Sequence, residues 1–486
     1  MKPDRQDEET LDPEDWDATR EMGHAMLDEV LSDIRNIRSR PVWKRIPDDA
    51  KATLAVAAPR SPQSLDAVYE EFRKNVEPYA IGNRHPRFWG WVIGGGTPVG
   101  MLSDMLASGM NTNAGGFEQS ASYVEAQVID WFKEVFGFPE QATGILVTSG
   151  SAANLTCLTV ARDAILPSVV DDGLGALDRR PIFYASEEVH NSADKALGVL
   201  GLGRSALRKV RAKDDFSMDI AHLRELIAED IAAGNQPVCA IGTAGTVATG
   251  AIDDLTSIAD ICVEHGMWFH VDGAFGAMAA LPDELRPLVA GMERADSLAF
   301  DLHKWMSVNY DSGCVLIRDP EAHLRSFSIP ASYLSNLRGG VATGQHHFGE
   351  MGVDLSRGFR ALKAWMSIKT YGFDKYARMV AKNVRQAKYL ASLVEAADDL
   401  ELVAPVALNV VCFRYIGTDI SADQLDEINE RILIRLQEDG LAVPSAVHVR
   451  GSFALRVANV NHRSTRADFD ALVKDVRRLG RELSTR

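Results

Sequence analysis

The chain has 486 residues, 46% hydrophobic and 25% charged, with 52 Lys and Arg against 68 Asp and Glu and a formal charge of −16. That length exceeds one ordinary core and predicts about three structural units, and the composition excludes disorder beyond the first dozen residues. An acidic balance without a Lys/Arg-rich stripe argues against a nucleic-acid partner.

Met1–Thr10 lacks the apolar core of a secretory signal, and no later segment approaches about 18 uninterrupted apolar residues. The expectation is a soluble, cytoplasmic protein. Its five cysteines, Cys157, Cys239, Cys262, Cys314 and Cys412, form no Cys-x-x-Cys and mostly lie in apolar stretches. Buried thiols are therefore expected rather than a disulfide frame or a zinc site. Adjacent His346 and His347 point in different directions as neighbours do, so no metal is expected there.

In chain order, Met22, Met26, Leu27, Val30, Leu31, Ile34 and Ile37 recur at helical spacing, and Ser64 is placed to cap a helix beginning at Leu65. The Ala57–Pro62 connector separates them, so residues 1–85 read as a helical segment with little core of its own. Alternation follows: a helix over 120–136, a strand at Gly144–Thr148, a helix, a strand at Ile182–Tyr184, a helix over 219–233, a strand at Val238–Ile241, a helix over 254–265, then strands at 267–271 and Gly313–Ile317. Such alternation predicts an α/β unit over residues 86–360 with a mainly parallel sheet covered on both faces. A long amphipathic helix near 354–371 leads into a smaller α+β unit, residues 361–486, with strands at Asn409–Phe413 and Ala454–Val457. Between Phe327 and Val353 lies a connection with Gly339, Gly340, Gly344 and Gly349, the composition of an active-site lid.

Two apolar runs end in polar residues: Trp268-Phe269-His270-Val271-Asp272-Gly273-Ala274 and Ser297-Leu298-Ala299-Phe300-Asp301-Leu302-His303-Lys304-Trp305. They place a carboxylate and an amine where neighbouring parallel strands finish, which is where α/β proteins bind ligands. A desolvated amine there can condense with an aldehyde, and the carboxylate can keep a pyridine nitrogen protonated. That is the chemistry of a pyridoxal phosphate site.

These runs resemble the group II pyridoxal-phosphate decarboxylases, which include aromatic amino acid, histidine, glutamate and cysteine-sulfinate decarboxylases. Further matches run in family order at His85-Pro86-Arg87-Phe88, Thr148–Asn154, Val189–Ser192, Gly245-Thr246 with Gly250–Asp253, Arg357–Lys363 and Asn461–Thr465. The resemblance implies a fold-type I large domain like that of aspartate aminotransferase, with a seven-stranded mainly parallel sheet. It also implies a homodimer whose N-terminal segment packs on its partner and whose active sites lie at the interface.

By that resemblance Lys304 carries the cofactor as an aldimine, and catalysis passes through a quinonoid. A lysine just past a buried strand is ordinarily a snorkelling surface group; the motif around it reverses that reading. Asp272 would face the pyridinium nitrogen, where otherwise it would serve as a helix cap or ion-pair partner. His190, else an ordinary loop histidine, would stack on the ring and take part in catalysis. Gly150 and Ser151 start a helix whose free N–H groups would take the phosphate; the family more often has two glycines and a glutamate here. Thr246, Asp301 and His303 would line the cofactor. Tyr333 would close over the site and return a proton, its bland alternative being an exposed loop tyrosine. The family commonly has alanine where this chain has Gly273, and proline or another residue at Leu302.

Trp89, Trp91 and Phe117 fall in the segment that lines the substrate pocket in the family, which favours an aromatic amino acid. Against this, Asn111-Thr112-Asn113 resembles the acidic-substrate branch, for which Arg357 or Arg360 could anchor a second carboxylate unless it forms a structural ion pair. The expected reaction is decarboxylation of an L-amino acid to its amine. Alternatives are an acidic-amino-acid decarboxylase, an aldehyde synthase or carbon–carbon lyase on the same frame, and a retired member acting as a binding protein.

Overall fold

A computed structural model describes residues 9–329, 340–417 and 420–484, without the side chains of Ala422 and Asp423. Seven strands form the large sheet: β1 Thr143–Val147, β2 Pro181–Ser186, β3 Leu207–Val210, β4 Gln236–Thr243, β5 Trp268–Asp272, β6 Ser297–Asp301 and β7 Gly313–Ile317. Their order is β1-β7-β6-β5-β4-β2-β3. β5, β6 and β7 are buried at every residue, as a sheet covered on both faces requires, and this is why they read as unbroken apolar runs.

β4, β5 and β6 pair in parallel, with Thr243 opposite Asp272 and Asp272 opposite Ala299. β7 is antiparallel to both of its neighbours. The turn from Asp301 to Gly313 is too short for a helical crossover, so the chain must reverse. Lys304 is carried by that reversal. β3 was not predicted, since an edge strand reading Leu-Arg-Lys-Val presents no apolar run.

The long helix spans Ala361–Glu395 and is broken at Gly372, where φ is 70°. It thus begins later and ends later than the 354–371 expected. Its first part meets the large domain, with Trp365 Nε1 donating to Gln127 at 2.7 Å. Its second part enters the small core with Leu390 and Val394. The small sheet is antiparallel throughout, with β8 Leu400–Leu402, β9 Val410–Tyr415, β10 Ser445–Val449 and β11 Ser452–Ala458 in the order β10-β11-β9-β8.

The N-terminal helix Trp16–Arg35 is capped by Asp15, whose carboxylate accepts from the N–H groups of Asp17 and Ala18; none of its residues is buried. Ser64 caps the helix Leu65–Asn75 as expected, accepting from Ala67 N at 3.3 Å. All five cysteines are buried. Among the described residues no helix is long and apolar enough to cross a membrane.

Candidate active site

The β5–β6 register brings the two polar strand ends together. Gly273 N donates to Ala299 O at 2.8 Å and Asp301 N to Ala274 O at 2.9 Å. Lys304 Nζ then lies 2.8 Å from Asp301 Oδ2. Asp301 is 1% exposed, and neither carboxylate oxygen meets a partner with hydrogen-bond geometry among the described residues, so charge holds the pair. The carboxylate is wedged against two glycines: a Cβ on Gly150 would come within 2.6 Å of Oδ2, and one on Gly313 within 2.9 Å of Oδ1.

Asp272 is buried at the end of β5. Its Oδ1 accepts from Ala274 N at 3.1 Å and its Oδ2 from Asn154 Nδ2 at 2.9 Å. Asn154 stands on the helix Gly150–Ile165, and its amide also donates to Ser192 Oγ at 2.9 Å. Its Oδ1 is 3.0 Å from His270 Nε2. His270 Nδ1 is 2.9 Å from Ser297 Oγ, which accepts from Trp268 Nε1 at 2.8 Å.

These bonds fix the proton positions. Asn154 Oδ1 can only accept, so His270 carries its proton on Nε2. Ser192 Oγ accepts from Asn154 and therefore donates to His190 Nδ1, 2.8 Å away. Ser192 N donates to the same nitrogen at 3.2 Å. His190 thus keeps its proton on Nε2. Burial pushes its pKa below the usual range, opposed by the negative charge of Asp272 and reinforced by Lys304. Burial also holds His270 down at about 4, against the pull of Asp272. The imidazoles are neutral at neutral pH, and Asp272 has no Lys or Arg partner among the described residues.

The helix that carries Asn154 begins on this site. Ser149 caps it, accepting from Ala152 N at 3.3 Å, while Ser151 is exposed. The N–H groups of Gly150 and Ser151, at the first turn, face no intrahelical acceptor. Thr243, beside Asp272, has a buried hydroxyl with no partner among the described residues. His303 is buried and neutral: burial lowers its pKa, its Nδ1 accepts from Ser312 N at 3.0 Å, and its ring stacks on Tyr310 at 4.3 Å.

The chemistry of this donor set fits pyridoxal phosphate. A buried carboxylate without a cation partner among the described residues suits a protonated pyridine nitrogen, a helix start suits a phosphate, and the half-buried Lys304 amine beside Asp301, past the neighbouring strand end, suits an aldehyde.

Other expectations are corrected. Thr246 is fully buried and spends its hydroxyl inside its own turn, accepting from Ala251 N at 3.1 Å and pairing with Thr249 Oγ1 at 3.1 Å. Asp253 of the same motif accepts from Met218 N at 2.7 Å and Thr243 N at 2.8 Å, and burial raises its pKa to about 6. Trp89 lines no substrate pocket: it is 1% exposed in the core of the small domain, stacked 4.9 Å from Phe469 with its indole N–H on Ser464 Oγ. Arg357 is 5% exposed and fully engaged, bonding both oxygens of Glu125 together with Ala114 O and Leu146 O. Arg360 binds Asp311.

Trp91 is half exposed. Phe117 is half-buried in a loop pinned by Glu118 N donating to Val341 O at 2.8 Å. Tyr333 lies outside the described residues. His346 packs edge-on against Tyr123 and stacks on Phe348. Gly273 is explained by crowding: a Cβ there would lie 2.7 Å from that of Ala277, so the family's alanine has no room.

Arg456 was missed because it sits inside an apolar strand run. It is 3% exposed, yet no carboxylate pairs with it among the described residues. Its Nε donates to Ala248 O and its Nη1 to Trp91 O, both at 3.1 Å, and Nη1 also to Ser445 Oγ at 3.2 Å, while Nη2 has no partner among the described residues. Burial lowers its pKa to about 10. Its neighbours put it at the seam of the Thr246–Ala251 turn, the Trp91 segment and the small sheet.

The family model of the pyridoxal-dependent decarboxylase conserved domain matches residues 47–416. An aromatic-L-amino-acid decarboxylase from Bacillus atrophaeus is 32% identical over 469 residues, covering 96% of each chain. Histidine decarboxylase from Drosophila melanogaster is 31% identical, covering 95% of this chain and 54% of its own. Among solved structures, Oryza sativa TDC with PLP and tryptamine gives a TM-score of 0.89 at 27% identity, covering 97% of this chain and 99% of that one. The chain belongs to the pyridoxal-dependent decarboxylase family and is a pyridoxal-phosphate-dependent carboxy-lyase.

Proposed function

We propose that the chain decarboxylates an aromatic L-amino acid to its amine and CO2. The observation that carries this reading is the pairing of the two arginines proposed for a second carboxylate: Arg357 is held by Glu125 and Arg360 by Asp311, whereas Arg456 Nη2 has no partner among the described residues and could take a single carboxylate. Half-exposed Trp91, whose carbonyl holds Arg456, supplies an aromatic wall beside the single anchor. The aromatic decarboxylases among the relatives support the same choice.

Bound pyridoxal phosphate supplies the electron sink for the pair left when the bond from Cα to the carboxylate breaks. Lys304 would hold the cofactor through its amine, Asp272, fixed by Asn154 and Ala274, would face the ring nitrogen and keep it protonated, and His190, its Nε2–H turned away from Ser192, would lie against the ring. Arg456 would orient the substrate carboxylate, and Tyr333 would supply the proton. Residues of the helix Trp16–Arg35, none of them buried in one chain, pack on a second copy to form a homodimer.

The test is turnover of L-tryptophan, L-tyrosine, L-phenylalanine, L-glutamate and L-aspartate, with amine and CO2 both measured. Aromatic substrates should release both in equal amounts, and Arg456→Gln should raise KM about 10- to 100-fold while retaining cofactor. Turnover of only the acidic substrates overturns the proposal, and oxygen uptake with aldehyde product would assign the synthase reaction instead.

A further inference from the structure

A cavity of about 460 Å³ lies between the start of the helix Pro98–Met110, the two residues after Lys304-Trp305, and the Ala361–Glu395 helix around residue 376. None of Lys304, Asp272, His190 or Arg456 is on its wall. The wall carries three cations, Lys375, Arg378 and Lys382, and no carboxylate. Arg378 has neither an ion pair nor a hydrogen bond among the described residues. Lys375 lies over the Tyr371 ring at 4.9 Å. Lys382 Nζ donates to two carbonyls, His462 O at 2.9 Å and Ser464 O at 3.3 Å, and burial lowers its pKa against the pull of Asp468.

Two hydroxyls on the same wall are short of partners. Ser307 is 2% exposed and its Oγ has none among the described residues. Tyr376 is 4% exposed; its hydroxyl lies beside Ser367 and meets no full hydrogen-bond geometry among the described residues. Buried polar groups without partners cost free energy; Lys375 and Arg378 are exposed, so they add positive potential at the cavity and no desolvation cost. One anion would partner the hydroxyls and meet that potential. Pro98, Met306 and Met379 add apolar wall, so its body can be a ring or a short hydrocarbon.

We propose that this cavity binds a small organic anion, a carboxylate on an apolar body, at a site separate from that of the cofactor. The site adjoins the catalytic turn: Ser307 N donates to Lys304 O at 3.1 Å, with Ser307 in the left-handed region at φ 52°. An occupant bonded to Ser307 Oγ stiffens the turn that carries Lys304.

Isothermal calorimetry of the holoenzyme with benzoate, and with neutral benzamide as control, tests this. Benzoate should bind saturably and benzamide should not. The double variant Lys375→Ala/Arg378→Ala should bind benzoate at least about tenfold more weakly with unchanged cofactor content, whereas Arg456→Gln should bind it as the parent does. Failure of benzoate to bind, equal binding by the double variant, or loss of binding in Arg456→Gln overturns the proposal. The last result would place the anion in the substrate site. None of these readouts depends on which amino acid is decarboxylated.

Discussion

Asn154 is the residue on which the site's proton positions turn. One amide donates to Asp272 and Ser192 and accepts from His270, so it sets Asp272 and, through Ser192, the tautomer of His190. Replacing it with alanine leaves a buried carboxylate and a buried imidazole each one partner short. Asn154→Ala should therefore cost about 1–3 kcal/mol of stability, read from thermal unfolding of the holoenzyme, and should lower kcat about 10²-fold or more through a misplaced His190. Unchanged kcat with lowered stability would show that the network is structural only. The sequence placed Asn154 in a motif but carried no sign of this role, because its partners come from β5 and from Ser192, the first residue of the helix Ser192–Val199. Arg456 was hidden for a related reason: within β11 it follows Leu455 and precedes Val457, and only the tertiary contacts show that no carboxylate among the described residues pairs with it.

At the scale of elements, the strand ends were legible because β5 and β6 are buried on both faces and their polar residues mark where burial stops. The reversal into β7 was legible in principle from the short 302–312 connection, but periodicity alone does not give strand direction. Arg357 illustrates the opposite case. Its motif pointed to a substrate anchor, and its place is a clamp between the helix Ser120–Phe136, β1 and the Ala114 loop. Glu125 is fully buried, so Glu125→Ala leaves a guanidinium uncompensated. The expected loss is about 3–5 kcal/mol, seen as a lower Tm with the substrate preference unchanged. An altered preference at normal stability would return Arg357 to the substrate site.

Across the whole molecule, the chain enters the core of the small domain early: Trp89 is buried there while the next-but-one residue, Trp91, is half exposed. A domain division drawn along the sequence could not show this. The interior also holds four histidines, His85, His270, His323 and His462, each pushed down to about 4 chiefly by burial. Unfolded imidazoles titrate near 6.5, so between about pH 6.5 and 4 the unfolded chain binds more protons than the folded one. Stability is therefore full above that window and falls as pH drops through it, by up to about 1 kcal/mol per pH unit for each histidine. Tm measured from pH 8 to pH 4.5 should be flat at first and then decline below about 6.5; a Tm that rises on acidification would contradict the burial of these rings as neutral species.

The central claim is that Lys304 presents its amine to the cofactor while Asp272 holds the opposite edge. Borohydride reduction of the holoenzyme followed by peptide mapping tests it most directly. The account predicts a single pyridoxyl adduct on the peptide containing Lys304; an adduct on any other lysine, with Lys304 unmodified, would contradict it.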